Sequence, residues 1–570
     1  MDKYWKIKEK GDEEDVKLLA EKLNINHVLA NLLMQRDIKT FEEARTFFRP
    51  SLEDLHDPFL MKDMDVAVKR LDSAFSNKDK ILIYGDYDVD GTTSVALLYS
   101  FLRKRHANID YYIPDRYNEG YGVSKEGIEY ARSNKVSLII TLDCGIKAIE
   151  RVEQARKYGI DVIICDHHTP DKKIPKAVAV LDPERKDCKY PYKHLSGCGV
   201  GFKFLQAFCI MHNIDQEELY SYLDLVAVSI GSDIVPITGE NRILAYFGLK
   251  KLEENPNKGL RAIKCTANID EKQLGIDDIV FRIGPRINAA GRMESGKQAV
   301  DLLISNNEEE AIVLCEKINL HNQTRRHIDQ NITKEALDLI KLNKNKFKYS
   351  TVLYNPKWHK GVVGIVASRL IESHYRPTII LTESNGLATG SARSVAGFDL
   401  YKAVNGCSDL LESFGGHTYA AGLTLKVENV EKLKKRFENI VKDTITPDLL
   451  IPQIEIDAEL NFRDIDPKFY RILKQFEPFG PGNMNPVFFA ENVSDNGFGR
   501  PVGNEGDHLK LSLIQEDQPF NVMPAIAFNM GKLYHQLNGS TFDIAYTITE
   551  NHFRGETSLQ LNIKDIKIDN

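Results

Sequence analysis

The amino-acid sequence predicts an α/β protein: a parallel-sheet domain joined by one long helix to a second α/β domain, followed by a C-terminal β-barrel. Three patterns predict it. From Ile81 onward, short apolar β-rich runs alternate with amphipathic helical stretches, as in a parallel sheet covered on both faces. From Asn307 to Leu342 a helical pattern runs 36 positions without Gly or Pro, a length that suits a connector rather than a core helix. Near the end, Leu509, Leu511 and Leu513 alternate with polar residues, as do Phe542, Ile544, Tyr546 and Ile548, and then Leu559, Leu561 and Ile563. Period-two alternation marks half-buried antiparallel strands.

Taken in order, residues 1–75 read as a mostly helical segment with polar breaks. The first α/β domain is placed at 76–305. Its predicted strands are 81–85, 109–113, 136–142 and 161–165, and the predicted helices between them are 92–105, 125–133 and 146–158. Residues 200–305 read as mostly helical. The connecting helix takes 306–345. The second α/β domain, 346–450, has predicted strands at 351–354 and 377–381 and predicted helices at 362–373 and 430–441. Residues 451–570 read as a small barrel or sandwich.

The 570 residues carry a net charge of −7, with 42% hydrophobic and 28% charged residues, which excludes disordered, collagen-like and membrane classes. The start, MDKYWKIKEK, lacks the apolar core of a signal peptide. No apolar run reaches the roughly 18 residues of a membrane span. Eight scattered Cys with no CxxC pair point to reduced thiols and a cytoplasmic protein. An acidic total still allows a basic groove, because nucleic-acid binding depends on local charge.

The most informative residues follow the strands. After 81–85 comes Asp86-Tyr87-Asp88-Val89-Asp90-Gly91; after 136–142, Asp143-Cys144-Gly145; after 161–165, Asp166-His167-His168. A predicted helix, 223–230, ends in Gly231-Ser232-Asp233. Loops after parallel strands converge on one sheet edge. Crowded carboxylates repel and raise one another's pKa, and a divalent cation relieves this. Oxygen-rich ligation with one or two His suits Mn²⁺ or Mg²⁺ better than structural Zn²⁺. Taken singly, an Asp after a strand is a turn former or helix N-cap, but capping does not account for all four loops together. A calcium loop is excluded, because its twelfth position would be Leu97 and a strand precedes it.

DYDVDG, DCG, DHH and GSD in this order resemble the four signatures of the DHH phosphoesterase superfamily. Gly390-Ser391-Ala392-Arg393 and Gly415-Gly416-His417 resemble its DHH-associated domain. The loop from Pro114 to Gly122 and the segment from Gly284 to Arg292 are similar to the RecJ branch, single-strand-specific exonucleases that degrade DNA from the 5′ end. The resemblance implies a C-terminal OB-fold. It also implies metal ligation by Asp88, Asp90, Asp143, His167 and Asp233, with Asp143 bridging. Asp86 would help hold its loop, and His168 would stand beside the scissile phosphate. Relatives in the pyrophosphatase branch have a metal-binding His where this chain has Tyr84. Arg116, Ser391, Arg393 and His417 match the family's phosphate-binding positions. Single-stranded DNA is the implied substrate, with a RecQ-like helicase and a single-strand-binding protein as implied partners, and a monomer is expected.

Phosphodiester cleavage needs a nucleophile, charge neutralisation and in-line geometry, and two cations about 3.5–4 Å apart supply all three. His168 would donate to a phosphate oxygen, protonate the leaving oxygen, or act only as a hydrogen-bond partner behind the ligands. Guanidinium forks suit a terminal phosphate. Arg282, Arg286, Arg292 and Lys297, with Arg325, Arg326 and His327 on the long helix, form either a basic channel or a solvated helix face. Trp358 reads as core. The segment from Gly291 to Lys297 imitates a P-loop but is followed by Gln298 with no strand before it, and Gly197 to Gly201 lacks the full dinucleotide spacing. Two other readings compete: a phosphodiesterase for short oligonucleotides or cyclic dinucleotides, and a non-catalytic replication scaffold.

Overall fold

A computed structural model describes residues 3–269, 273–342, 347–515 and 518–568. The chain forms two compact units, Leu52–Ile451 and a second made of Met1–Ser51 with Pro452–Asn570.

In the larger unit, five strands lie in the order Ile109–Tyr112, Ile81–Gly85, Leu138–Leu142, Asp161–Cys165, Ala179–Leu181, all parallel. The central strands are buried along their whole length, which explains their continuous apolar runs. Their register aligns Gly85 with Leu142, Leu142 with Cys165 and Cys165 with Leu181. The next residues in the chain, Asp86, Asp143, Asp166 and Asp182, therefore leave the sheet side by side. Helices Val89–Arg103, Gly197–His212 and Leu223–Asp233 are nearly all apolar on their buried sides and share one core with the sheet.

The connector is the 35-residue helix Glu308–Leu342. It leads to a mixed sheet in the order Leu411–Gly416, Ala420–Lys426, Leu387–Arg393, Thr378–Ser384, Thr351–Tyr354. Only its last two strands are parallel. Three of its strands were not legible in the sequence. Leu387–Arg393, read LATGSAR, is rich in small residues, because it runs close to its neighbour: a Cβ on Gly390 would stand 2.0 Å from the Ile380 carbonyl oxygen.

In the smaller unit, strands Phe488–Asp495, Phe542–Phe553, Glu556–Ile568, Gln518–Ala527 and His508–Gln515 pair in sequence, and the last returns to the first. The result is a closed five-stranded barrel, the OB-fold arrangement. Helices Glu13–Leu23, His27–Met34 and Phe41–Phe48 share its core, through Leu19, Leu29, Leu33 and Ala44. The expected segment 1–75 is thus divided at Ser51. Helix Met64–Ser76 buries Met64, Val68 and Leu71 in the core of the parallel sheet instead. Amphipathic spacing shows that a helix buries one face, and it does not name the partner.

Candidate active site

The carboxylates are placed by local structure. Asp88 caps helix Val89–Arg103, accepting the Gly91 N–H at 3.1 Å. Asp90, in the first turn, accepts the N–H groups of Gly197 at 2.6 Å and Cys198 at 2.8 Å and the Ser229 hydroxyl at 2.6 Å. This lashes the DYDVDG loop to the N-terminus of the Gly197–His212 helix, a favourable place for negative charge. Gly197 has no room for a side chain, since a Cβ there would lie 2.6 Å from that of Asp143. Asp143 adopts φ +58°, a left-handed conformation. Asp233 ends its helix and remains partly exposed.

The five predicted ligands meet. His167 Nε2 lies 3.1 Å from Asp143 Oδ1, 3.6 Å from Asp90 Oδ2 and 3.6 Å from Asp233 Oδ2. Candidate ligand atoms fall into three groups, each within 4.8 Å: Asp86 with Asp88 and Asp143; Asp90 with His167 and Asp233; Asp143 with His167 and His168. Asp143 belongs to two of them, as a bridging carboxylate should. Asp86 stands among the candidate ligands rather than behind them. It is fully buried, and its Oδ2 has no hydrogen-bond partner.

Burial, then the charges of neighbouring aspartates, pushes the carboxyls of Asp86, Asp143 and Asp233 well above the usual range. Among the described residues no Lys or Arg forms an ion pair with them. An orphaned buried oxygen in a crowd of oxygen donors with two imidazoles fits hard divalent cations.

Asp166 faces elsewhere. It accepts the Ile146 N–H at 2.9 Å and the His167 N–H at 2.8 Å, and it holds His168 Nδ1 at 2.8 Å. Burial alone would lower the His168 imidazole; the hydrogen bond and charge of Asp166, with Asp233 and Asp90 beyond, outweigh this and push it up to about 9. Its Nε2 is left facing the Tyr121 hydroxyl at 3.0 Å. Tyr84 is not at the metal groups. It is fully buried, and its hydroxyl donates to the Gly122 carbonyl at 3.0 Å and accepts the Ser124 N–H at 3.0 Å, anchoring the loop that carries Arg116 and Tyr121.

A second cluster has the opposite sign. Arg116 lies over the Tyr87 ring at 4.8 Å. Arg393, on strand Leu387–Arg393, donates to Ser391 Oγ at 2.7 Å. Arg292, on helix Gly284–Met293, donates to the Gly361 carbonyl at 3.0 Å, and Tyr117 donates to the Arg292 carbonyl. Burial lowers Arg292 to about 9, helped by Arg116, Arg325 and Arg393; Arg393 is lowered by burial and by Arg116. Four guanidiniums thus act on one another, as in a pocket for an anion. His417 follows the last residue of strand Leu411–Gly416, and its imidazole is lowered by burial and by the charges of Lys147 and His168.

Other predicted residues have different roles. Arg286 spends one guanidinium nitrogen on the Arg282 carbonyl at 2.5 Å, while its Nε is buried without a partner. Arg325 is not part of a solvated face: it pairs with Asp329 at 3.0 Å, and Asp329 also pairs with Arg369 at 2.9 Å, tying the long helix to helix Val363–Ser373. Trp358 is core, its Nε1 donating to Glu335. The P-loop mimic spans the end of helix Gly284–Met293 and the start of Lys297–Ile304, and Gly197 to Gly201 lies within a helix capped by Ser196. Sequence reasoning missed Asp182, which repeats the strand-then-Asp signal after Ala179–Leu181. It is buried, its Oδ2 lacks a partner, and burial and Asp166 push it up to about 8. It also missed Tyr121 as a partner of His168, for which no sequence signal exists.

With this geometry in hand, comparison with known proteins is decisive. The DHH family, N-terminal domain, matches residues 80–230; the DHHA1 domain matches 344–443; the RecJ OB domain matches 456–565. The single-stranded-DNA-specific exonuclease RecJ of Bacillus subtilis (strain 168) is 36% identical over 99% of this chain and 71% of its own length. That of Escherichia coli (strain K12) is 34% identical over 89% and 90%. The chain belongs to the RecJ family. A crystal structure of RecJ from Thermus thermophilus in complex with Mn²⁺ superposes with a TM-score of 0.85 at 26% identity, covering 100% of this chain and 80% of that one. An exonuclease RecJ bound to manganese matches at 0.60 and 31% identity, covering 68% and 96%. The RecJ assignment accounts for the parallel-sheet domain, the long helix, the mixed sheet and the barrel together.

Proposed function

We propose that this chain is a metal-dependent 5′-to-3′ exonuclease on single-stranded DNA that hydrolyses phosphodiester bonds and releases 5′-mononucleotides in DNA repair and recombination. The observation that carries it is the meeting of Asp88, Asp90, Asp143, His167 and Asp233, from four separate loops, in overlapping groups that share Asp143. In this reading Asp86, Asp88 and Asp143 hold one Mn²⁺ or Mg²⁺, and Asp90, His167, Asp233 and again Asp143 hold the second. Bound there, a pair of such ions activates water and neutralises charge on the phosphate. Asp166 fixes the His168 ring so that Nε2 faces the phosphate, as donor to its oxygen or to the leaving oxygen. Arg116, Arg292, Ser391 and Arg393 hold the terminal 5′-phosphate, with His417 on a neighbouring phosphate and Arg286 lending positive charge to the strand's path. The family resemblance further supports cytoplasmic action as a monomer beside a RecQ-like helicase and a single-strand-binding protein. The complete carboxylate set speaks against a scaffold, and the added barrel against a dinucleotide phosphodiesterase.

Digestion of end-labelled single- and double-stranded DNA with Mn²⁺, Mg²⁺ or EDTA tests the proposal. Mononucleotides should leave the 5′ end of single strands only when metal is present. Release from the 3′ end, or undiminished release in EDTA, refutes it.

A further inference from the structure

Resting on the exonuclease reading above, we infer that Phe281 is a base-stacking residue for the single strand, at the outer end of a helical track that leads to the arginine pocket. Residues Ile279–Ile283 form a π-helical turn that runs into helix Gly284–Met293. Such turns occur often at functional sites. Ile279 and Ile283 are fully buried, and Ile279 packs so tightly on Gly231 that a Cβ there would lie 2.8 Å from it. The turn is thereby braced against the helix that ends in Asp233. Phe281, between the two isoleucines, is turned outward and is 72% exposed. The ring belongs to none of the aromatic contacts found among the described residues.

What lies below Phe281 on the same helix gives the exposure a purpose. Phe281, Pro285, Asn288 and Arg292 stand at i, i+4, i+7 and i+11, one face of a helix. Pro285, Asn288 and Arg292 are half-buried, whereas Ile283, Ile287 and Ala290 on the other side are fully buried. The face therefore runs from an exposed aromatic ring, past a proline and an amide, to Arg292, whose guanidinium shares its field with Arg116, Arg325 and Arg393. Its length is about 16 Å at the helical rise per residue. Arg286, on the adjacent flank, feels Arg282, Arg325 and Arg326. An aromatic platform beside a run of positive charge is the combination that holds single-stranded nucleic acid without reading its sequence, since every base has a π-face. The arginines favour a polyanion over an apolar protein partner.

The test uses the full chain in EDTA with a 5′-phosphorylated oligothymidylate labelled at its 3′ end, read by fluorescence anisotropy. Phe281→Ala should weaken binding about tenfold. Phe281→Trp should keep the affinity, and its added indole emission should be quenched by the oligonucleotide. A single abasic site moved along the strand should find one position that costs wild-type affinity and costs nothing further in Phe281→Ala. If Phe281→Ala binds as wild type and the Phe281→Trp emission is unmoved by DNA, the inference fails while the exonuclease reading stands. If the wild-type chain neither binds nor cleaves single strands, that reading fails and this inference falls with it.

Discussion

The carboxylate cluster at the parallel-sheet edge and the arginine pocket beside the mixed sheet pose the same electrostatic problem with opposite signs. Each crowds like charges where water is scarce, and each is relieved by a ligand of the other sign. They differ in construction. Asp86 and Asp143 leave adjacent strands at aligned positions, so hydrogen-bond register fixes their spacing. Arg116, Arg292 and Arg393 come from a loop, a helix and a strand of a different sheet, so their meeting depends on how those elements pack. The cation site should therefore be rigid and locally encoded, and the anion site sensitive to packing.

The sharpest test of this contrast is Asp143→Asn. Cleavage should fall about a thousandfold, while affinity for single strands, held by the arginines, is kept. The metal-free protein should melt at a higher temperature, because one like charge leaves the crowd, and Mn²⁺ should no longer raise the melting temperature as site binding does. A metal-dependent rise that persists would break the bridging role. Next, Asp166→Asn should lower turnover about 10–100-fold by freeing His168, as loss of a residue supporting a metal site does, with calorimetric Mn²⁺ titration and single-turnover cleavage as the measurements. On the other side, Arg393→Ala should cost about 1.5–3 kcal/mol of binding for a 5′-phosphorylated oligonucleotide and almost nothing for its 5′-hydroxyl counterpart, compared by anisotropy. The smallest effect belongs to Tyr84→Phe. Losing the hydroxyl's bonds to Gly122 and Ser124 should cost about 1 kcal/mol of stability, seen as a modest fall in melting temperature, with Mn²⁺ affinity unchanged.

The same contrast governs what could be read beforehand. The strands of the parallel sheet and the long helix were legible because their periodicity is uninterrupted. The hairpin strands Leu411–Gly416 and Ala420–Lys426 were not, because glycines and exposed polar residues blur their alternation. Asp88 is both an N-cap and a candidate ligand, so the capping and metal readings of an Asp after a strand were not exclusive. Asp86, expected to hold the loop, stands among the ligands, a difference of side-chain direction that spacing does not encode. Arg325 and Asp329 formed one end of a tie whose other end, Arg369, lies 40 positions on from Asp329.

The sequence alone determined the strand-then-Asp rhythm, and with it the place where negative charge would gather, because both the period and the loop position are local properties of the chain. Tertiary structure alone decided that residues 1–51 share the barrel's core and that Arg116, Arg292 and Arg393 share one field. Those outcomes depend on which faces bury against each other, and no stretch of chain carries that information by itself.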